Sequence, residues 1–213
     1  MVLECGIDEA GRGPVIGPLV IAGVVIDERK LPQLKEMGVA DSKLVSPVKR
    51  EALYQKIIDI CKGHFIIVVE PSEIDKHPNL NWLEAEKQAE IINVLKPERA
   101  IIDCPSTNTR AFKDYLKKLL TDPTIMLKVE HKADLHYVSC SAGSILAKVT
   151  RDRLIEELKQ KIGKDFGSGY PSDPTTAAFV QKYWNVHGNI MRHSWETYKR
   201  EAGKLSQKTL GGF

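Results

Sequence analysis

The sequence of 213 residues predicts an α/β protein: a mixed five-stranded sheet flanked by helices, with a helical C-terminal extension. Three observations predict it. Short β-branched apolar runs recur at residues 2–7, 20–26, 65–69, 100–102 and 125–129, each of strand length. Apolar residues at helical spacing fill the stretches between and after the later runs. Hydrophobic residues make up 42% of the chain, enough for one sizeable core and too many for a disordered polymer.

Each element has a local reason. Ser46 can cap and Pro47 can start a helix with Leu53, Ile57 and Ile60 on one face. A second helix carries Trp82, Ala85, Ala89 and Ile92 and is stopped by Pro97. A third carries Phe112, Tyr115, Leu116 and Leu119. A fourth starts near Ala133 or Ser139 and runs through Ile145, Val149, Ile155 and Leu158 to Gly163. The order expected is strand, strand, strand, two helices, strand, helix, strand, then helices only. A long insertion, 27–61, separates the second and third strands. The last two strands are joined by a helix and should be parallel.

Composition narrows the function classes. No apolar run approaches the ~20 residues that a membrane helix needs, so no membrane role is expected. The first run already reads as a strand, so no signal peptide is expected and the location is taken as cytoplasmic. Cys5, Cys61, Cys104 and Cys140 form no CxxC pair and read as free thiols. The net charge of +3 is unevenly spread: residues 140–213 hold 12 Lys and Arg against seven Asp and Glu, and the remainder holds 19 against 21. A basic C-terminal third suits a nucleic-acid surface, and equally an ordinary solvated one. No GxxxxGK[ST] loop is present, which argues against a nucleotide-driven motor.

Asp8 and Glu9 follow the first strand, Asp103 follows the fourth, and Asp134 lies just after the fifth. If the first and fourth strands are parallel neighbours, these acids gather at the carboxyl edge of the sheet, where open sheets bind ligands. Crowded carboxylates repel one another, and cations relieve that repulsion. All-oxygen donors favour Mg²⁺ or Mn²⁺ over zinc. A metal pair so held suits in-line displacement at phosphorus. Each acid alone could instead be a turn or cap residue. Gly11-Arg12-Gly13-Pro14 follows the acids, and its glycines let backbone approach a sugar or phosphate, or simply make a tight turn.

The run Gly6-Ile7-Asp8-Glu9-Ala10-Gly11-Arg12-Gly13-Pro14 resembles the opening motif of the ribonuclease HII family. Asp41-Ser42-Lys43, His131-Lys132-Ala133-Asp134, Ser144-Ile145-Leu146-Ala147-Lys148-Val149 with Arg151-Asp152, and Gly167-Ser168-Gly169-Tyr170-Pro171-Ser172-Asp173-Pro174 match it in the same order. The resemblance spans nearly the whole chain. It implies an RNase H-like fold and hydrolysis of the RNA strand of RNA–DNA hybrids, leaving 5′-phosphate and 3′-hydroxyl ends. It also implies cutting 5′ of single ribonucleotides embedded in duplex DNA, and so a place in DNA replication and repair. The family's metal-binding acids fall on Asp8, Glu9, Asp103 and Asp134, for two Mg²⁺ or Mn²⁺ ions with substrate. Its loop that contacts the 2′-hydroxyl falls on Gly11, Arg12 and Gly13, and its substrate-sensing tyrosine on Tyr170. The 2′-hydroxyl is the group that separates RNA from DNA. Lys43, Lys148 and Arg151 are candidate phosphate contacts. They read equally as solvated helix charge, for instance a Lys148–Asp152 pair. His131 and Lys132 belong to the motif without an assigned role.

The expected division is a catalytic domain over 1–165, a helical extension over 166–204 and a flexible clamp-binding tail over 205–213. The tail spacing of Gln207, Leu210 and Phe213 resembles the peptide that docks on DNA sliding clamps, and a compact form with such a tail resembles archaeal members. A frayed terminus is the plainer reading. Three positions depart from the family pattern. Leu44 stands where a second lysine is frequent, Val138 where proline is usual, and Gly143 where alanine is typical. Gly143 should weaken its helix by up to ~1 kcal/mol. A monomer is expected. The rivals are a resolvase- or integrase-type nuclease of the same fold, ribonuclease HIII, a non-catalytic hybrid-binding protein and a small-molecule phosphatase. The Gly-Arg-Gly loop and the 167–174 segment speak against the first. The motif's start within ten residues of Met1 speaks against the second, the full set of acids against the third, and the tail and basic third against the fourth.

Overall fold

The computed structural model describes residues 2–39 and 45–210, with side chains through Gly203. Contacts divide the chain into two compact units. One comprises Met1–Ala10, Val20–Val68 and Asn79–Thr150; the other comprises Gly11–Leu19, Val69–Pro78 and Arg151–Phe213.

The first unit is built on a five-stranded sheet. Along the chain come β1 (Leu3–Ala10), β2 (Leu19–Asp27), α1 (Leu31–Glu36), α2 (Pro47–Ile60) and β3 (Gly63–Val69). After α3 (Pro71–Lys76), which belongs to the second unit, follow α4 (Leu80–Leu95), β4 (Arg99–Asp103), α5 (Thr109–Leu119), β5 (Met126–Glu130), α6 (Ala133–His136) and α7 (Val138–Ile162). The sheet order is β3-β2-β1-β4-β5. The strand β1 pairs antiparallel with β2 and parallel with β4, and β4 pairs parallel with β5. All nine residues of β2 are buried, which accounts for its unbroken apolar run.

The expected cap of α2 is in place, and α4 has one that was not anticipated. Ser46 accepts from the Lys49 N–H at the start of α2, with Pro47 as its first residue. Asn79 accepts from the N–H groups of Asn81 and Trp82 to open α4, and Lys96 ends that helix in the left-handed region, with φ 46°. Trp82 lies against Phe112 and Tyr115, so α4 and α5 pack as a pair. Glu4, buried in β1, is bound by Arg99 Nε at 2.8 Å from the adjacent β4 and by Ser139 Oγ at 2.6 Å from α7. That group ties strand, strand and helix together.

Several expectations are corrected. The strand β1 runs through Asp8 and Glu9 to Ala10, because all three continue the ladder with β2, and Asp103 ends β4 rather than following it. The helix from Pro47 lies between β2 and β3, not after β3. The helix α3 was not expected; six residues are too few for a periodic signal, though Pro71 marks its start. The fourth helix is two, α6 and α7, because Tyr137 takes an extended conformation between them. Gly143 is not a weak point. A Cβ there would lie 2.9 Å from Gly6 O and 3.0 Å from Ala22 O, and one on Gly6 would overlap Ser139 backbone at 2.0 Å. The pair of glycines is what lets α7 press against β1.

The second unit contains α3, α8 (Pro174–Tyr183) and α9 (Glu196–Leu210). Its core joins Val15, Ile16, Ile155, Phe166, Phe179, Val180, Ile190 and Met191. A linear division at residue 165 is therefore replaced: segment Gly11–Leu19 supplies Val15 and Ile16 to this core. Asp75, at the end of α3, accepts from the N–H groups of His193 and Ser194 at 2.7 and 2.9 Å, which recruits Val69–Pro78 as well. Backbone helix continues to Leu210, through Gly203, so Gln207 and Leu210 sit on α9 rather than beyond the last helix. Their side chains, and Phe213, lie outside the described residues. Among the described residues, no helix is long and apolar enough to cross a membrane.

Candidate active site

The parallel pairing of β1 with β4 reaches Ile7–Ile102, and Asp8 and Asp103 are the next residues of each strand. Asp134 joins them from the first turn of α6. Each of the three offers a carboxylate oxygen, and these oxygens lie within 4.8 Å of one another. Asp8 and Asp134 are almost wholly buried, at 5% and 1% exposure, while Asp103 is half-buried. The acids are thus gathered by strand adjacency and by a short helix placed directly after β5.

The surroundings hold each acid in place. The Glu9 N–H donates to Asp8 Oδ1 at 2.7 Å, and Ser144 on α7 hydrogen-bonds its side chain. The Ala133 N–H donates to Asp103 Oδ1 at 3.2 Å. Ser141 Oγ donates to the Asp134 carbonyl at 2.5 Å. The His131 ring contacts the Cys104 carbonyl through Nδ1 at 3.1 Å, bracing the turn between β5 and α6 against the end of β4. Burial pushes the Asp8 carboxyl up to about 7, and the charges of Asp103 and Asp134 push the same way, against the bonds from Ser144 and Glu9.

Of the four expected acids, the geometry unites three. Glu9 is half-buried and falls outside the close group, since neighbours along a strand leave on opposite sides. Its charge is felt at the Cys104 thiol beside Asp103. The donor set of the trio is all carboxylate, with no imidazole or thiolate, and fits a hard divalent ion. The four cysteines are free; burial raises the thiols of Cys5, Cys104 and Cys140, which accords with inert core residues.

The Gly-Arg-Gly loop belongs to the second unit and is held on both sides. The N–H groups of Val15 and Ile16 donate to Gly169 O at 2.8 and 3.3 Å. Opposite, the Arg192 N–H donates to Val15 O and the Gly17 N–H to Ile190 O. Gly11 has φ +89°, and a Cβ on it would lie 2.3 Å from Arg151 Nε. A Cβ on Gly13 would lie 3.4 Å from Tyr170 Cε1, so the loop and the expected sensing ring are neighbours. Tyr170 is 39% exposed. The segment before it is pinned by Asp173, which accepts from the Ser168 N–H at 2.7 Å, and by Thr176 Oγ1, which accepts from the Gly169 N–H at 3.0 Å.

Arg151 differs from expectation. It is 5% exposed, its guanidinium donates to Pro18 O and Ser168 O and lies 5.4 Å from the centre of the Tyr170 ring. It braces the loop and the tyrosine rather than meeting phosphate at the surface. Arg12 and Lys148 are half-buried, and Lys43 lies outside the described residues. Sequence reasoning gave no role to Ser144 and Asp173, which stand in the family motifs, and did not single out Ser141, Arg192 or Trp195. Asp173 directly precedes Pro174, a legible helix-start signal, and Ser141 bonds locally to Asp134, but Ser144, Arg192 and Trp195 make their contacts across long sequence separations.

Comparison with known proteins agrees with this arrangement. The family model for ribonuclease HII matches residues 5–198. Ribonuclease HII of Pyrococcus horikoshii is 46% identical over 216 residues, covering 98% of this chain and 97% of that protein. The crystal structure of ribonuclease H2 from Pyrococcus horikoshii superposes with a TM-score of 0.89 at 44% identity, over 96% of this chain and 99% of that one. The RNase HII in a PCNA complex from Archaeoglobus fulgidus gives 0.82 at 41%, over 92% and 96%.

The raised Asp8 carboxyl has a pH consequence. Its value in the folded, metal-free protein, about 7, lies above the ordinary 3.8. Between those values the fold holds a proton that the unfolded chain has released, so the stability contribution of this group is lost as pH rises through that window. A bound cation must displace the same proton below pH 7. Mn²⁺ affinity measured by calorimetry should fall up to about tenfold per pH unit from 7 to 5; equal affinity at pH 5.5 and 8 would show that Asp8 is not the group titrating.

Proposed function

Since the chain belongs to the ribonuclease HII family, and is thereby a type 2 ribonuclease H, an endoribonuclease, we propose that it cuts both long RNA–DNA hybrids and single ribonucleotides embedded in duplex DNA. The cut falls 5′ of the ribonucleotide and leaves a 5′-phosphate and a 3′-hydroxyl. The observation that carries this reading is the close group of Asp8, Asp103 and Asp134 at the carboxyl edge of the sheet.

Asp8, Asp103 and Asp134, with Glu9 next along β1, hold two Mg²⁺ or Mn²⁺ ions when substrate is bound. Such ions supply an activated water and stabilisation of the leaving oxygen. The protein's own part is to keep the carboxylates close and fixed by the bonds from Ala133, Ser144 and the Glu9 amide. Loop residues Gly11, Arg12 and Gly13 read the 2′-hydroxyl through backbone groups, which gives ribose selectivity without base preference. Tyr170, exposed at one edge and stacked near Arg151, packs against the neighbouring sugar. Lys43, Lys148 and Arg12 contribute charge toward the phosphates.

The C-terminal residues Gln207, Leu210 and Phe213 engage a DNA sliding clamp. The Archaeoglobus relative, seen with PCNA, supports that partner. Free cysteines suit a reducing cytoplasm, and the enzyme acts as a monomer in replication and ribonucleotide removal.

A duplex containing one ribonucleotide, incubated with Mg²⁺, Mn²⁺ or EDTA, tests the reaction. Cleavage 5′ of the ribonucleotide with either metal, none with EDTA and none on all-DNA duplex is the expected pattern. Cleavage confined to long hybrids would remove the role given to Tyr170. Separately, Phe213→Ala should leave cleavage without clamp unchanged and weaken clamp binding at least about tenfold in surface-plasmon titrations, as loss of a buried aromatic anchor does; unchanged affinity would retire the tail contact.

A further inference from the structure

Arg192 has the largest side chain among those fully buried, at 0% exposure. Burying a guanidinium is costly unless its donors are used. Here they are used on one short stretch of backbone. Nη2 donates to Gly11 O at 2.6 Å and to Gly17 O at 3.0 Å, Nη1 donates to Arg12 O at 2.9 Å, and Nε donates to Gly17 O at 3.1 Å. The same residue's N–H donates to Val15 O at 2.8 Å. Its guanidinium carbon lies 4.8 Å from the centre of the Trp195 ring, and Trp195 Nε1 donates to Gly13 O at 3.1 Å.

The carbonyls of Gly11, Arg12, Gly13, Val15 and Gly17 are therefore all gathered by two residues of the 192–195 turn. A carbonyl drawn inward fixes the peptide plane, and with it the direction of the N–H on the other side of that plane. The loop contains two glycines, so without such fixing its backbone would sample many conformations. The planar, forked donor set of arginine can hold three carbonyls at once; the tetrahedral ammonium of lysine cannot reproduce that fan. Asp75 in turn holds the N–H groups of His193 and Ser194 and so fixes the 192–195 turn itself.

We propose that Arg192, with Trp195 behind it, is the positioning residue that presets the Gly11–Gly13 backbone for ribose recognition, so that selectivity for a 2′-hydroxyl is set from the far C-terminal side of the sequence. This rests on the loop's role in the proposed function. Neither residue touches substrate; both act through the carbonyls they hold.

The test compares wild type, Arg192→Lys and Trp195→Phe. Binding to a duplex with one ribonucleotide, and to the same duplex in DNA only, is followed by fluorescence anisotropy in EDTA, where nothing is cut. Amide exchange of residues 11–17 is followed by mass spectrometry. Wild type is expected to favour the ribonucleotide duplex. Arg192→Lys should reduce that preference by about tenfold or toward unity, since small misplacements of a positioned group have large effects. All-DNA affinity should hold, and loop amides should exchange faster. A merely structural role would weaken both duplexes alike. Trp195→Phe keeps an aromatic face for Arg192 but gives up the indole N–H and its bond to Gly13 O; it should show the same pattern more weakly, and it decides the matter if Arg192→Lys does not fold. Wild-type preference that survives in the folded variants, or a loop equally protected in them, overturns the inference alone. A wild type with no preference overturns the loop's reading of ribose, and this inference with it.

Discussion

Three carboxylates whose oxygens share a space 4.8 Å across, two of them nearly sealed from water, repel one another. Several features of the first unit serve to hold that unfavourable arrangement. The parallel pairing of β1 with β4 makes Asp8 and Asp103 neighbours. The break at Tyr137 lets α6 deliver Asp134 before α7 begins, and the contact of α7 on β1, made possible by Gly6 and Gly143, brings Ser144 to Asp8. Strain of this kind is retained where a cation is to be bound.

The second unit solves a different problem. A loop with two glycines has no intrinsic shape, yet reading a single hydroxyl needs one. The loop obtains it by being woven between two distant stretches, 167–170 on one side and 190–195 on the other. Arg151 and Arg192 are both buried there, and both spend their guanidinium groups on backbone carbonyls. Arg151, which the sequence offers as a phosphate contact, is thus an internal fastener, as is Arg192. The positive charge free to meet nucleic acid must come from other residues.

Much of this was legible in the sequence. Strands were visible as β-branched runs, and the cap at Ser46 and the stop at Pro97 follow from local chemistry. The acids were found because polar residues ending apolar runs are conspicuous. What was not legible depends on contacts across long separations. Gly143 reads as a helix defect until the carbonyls of Gly6 and Ala22 are seen against it. Arg192 carries no local motif, and its partners lie some 175 to 181 residues earlier. The unit boundaries were missed for the same reason: Val15 and Ile16 lie between the first two strands in sequence, but their side chains pack among Phe166, Phe179 and Met191.

Repulsion among the acids, relieved by a cation, is the claim on which the account stands. Thermal unfolding of wild type and Asp103→Asn at pH 8, each in EDTA and in saturating Mn²⁺, tests it most directly. Removing one charge should raise the unfolding temperature in EDTA by roughly 2–4 °C, as about 1 kcal/mol does in a protein of this size. Mn²⁺ should then stabilise wild type by more than it stabilises the variant. A variant that melts below wild type in EDTA, or that gains as much from Mn²⁺, would contradict the account.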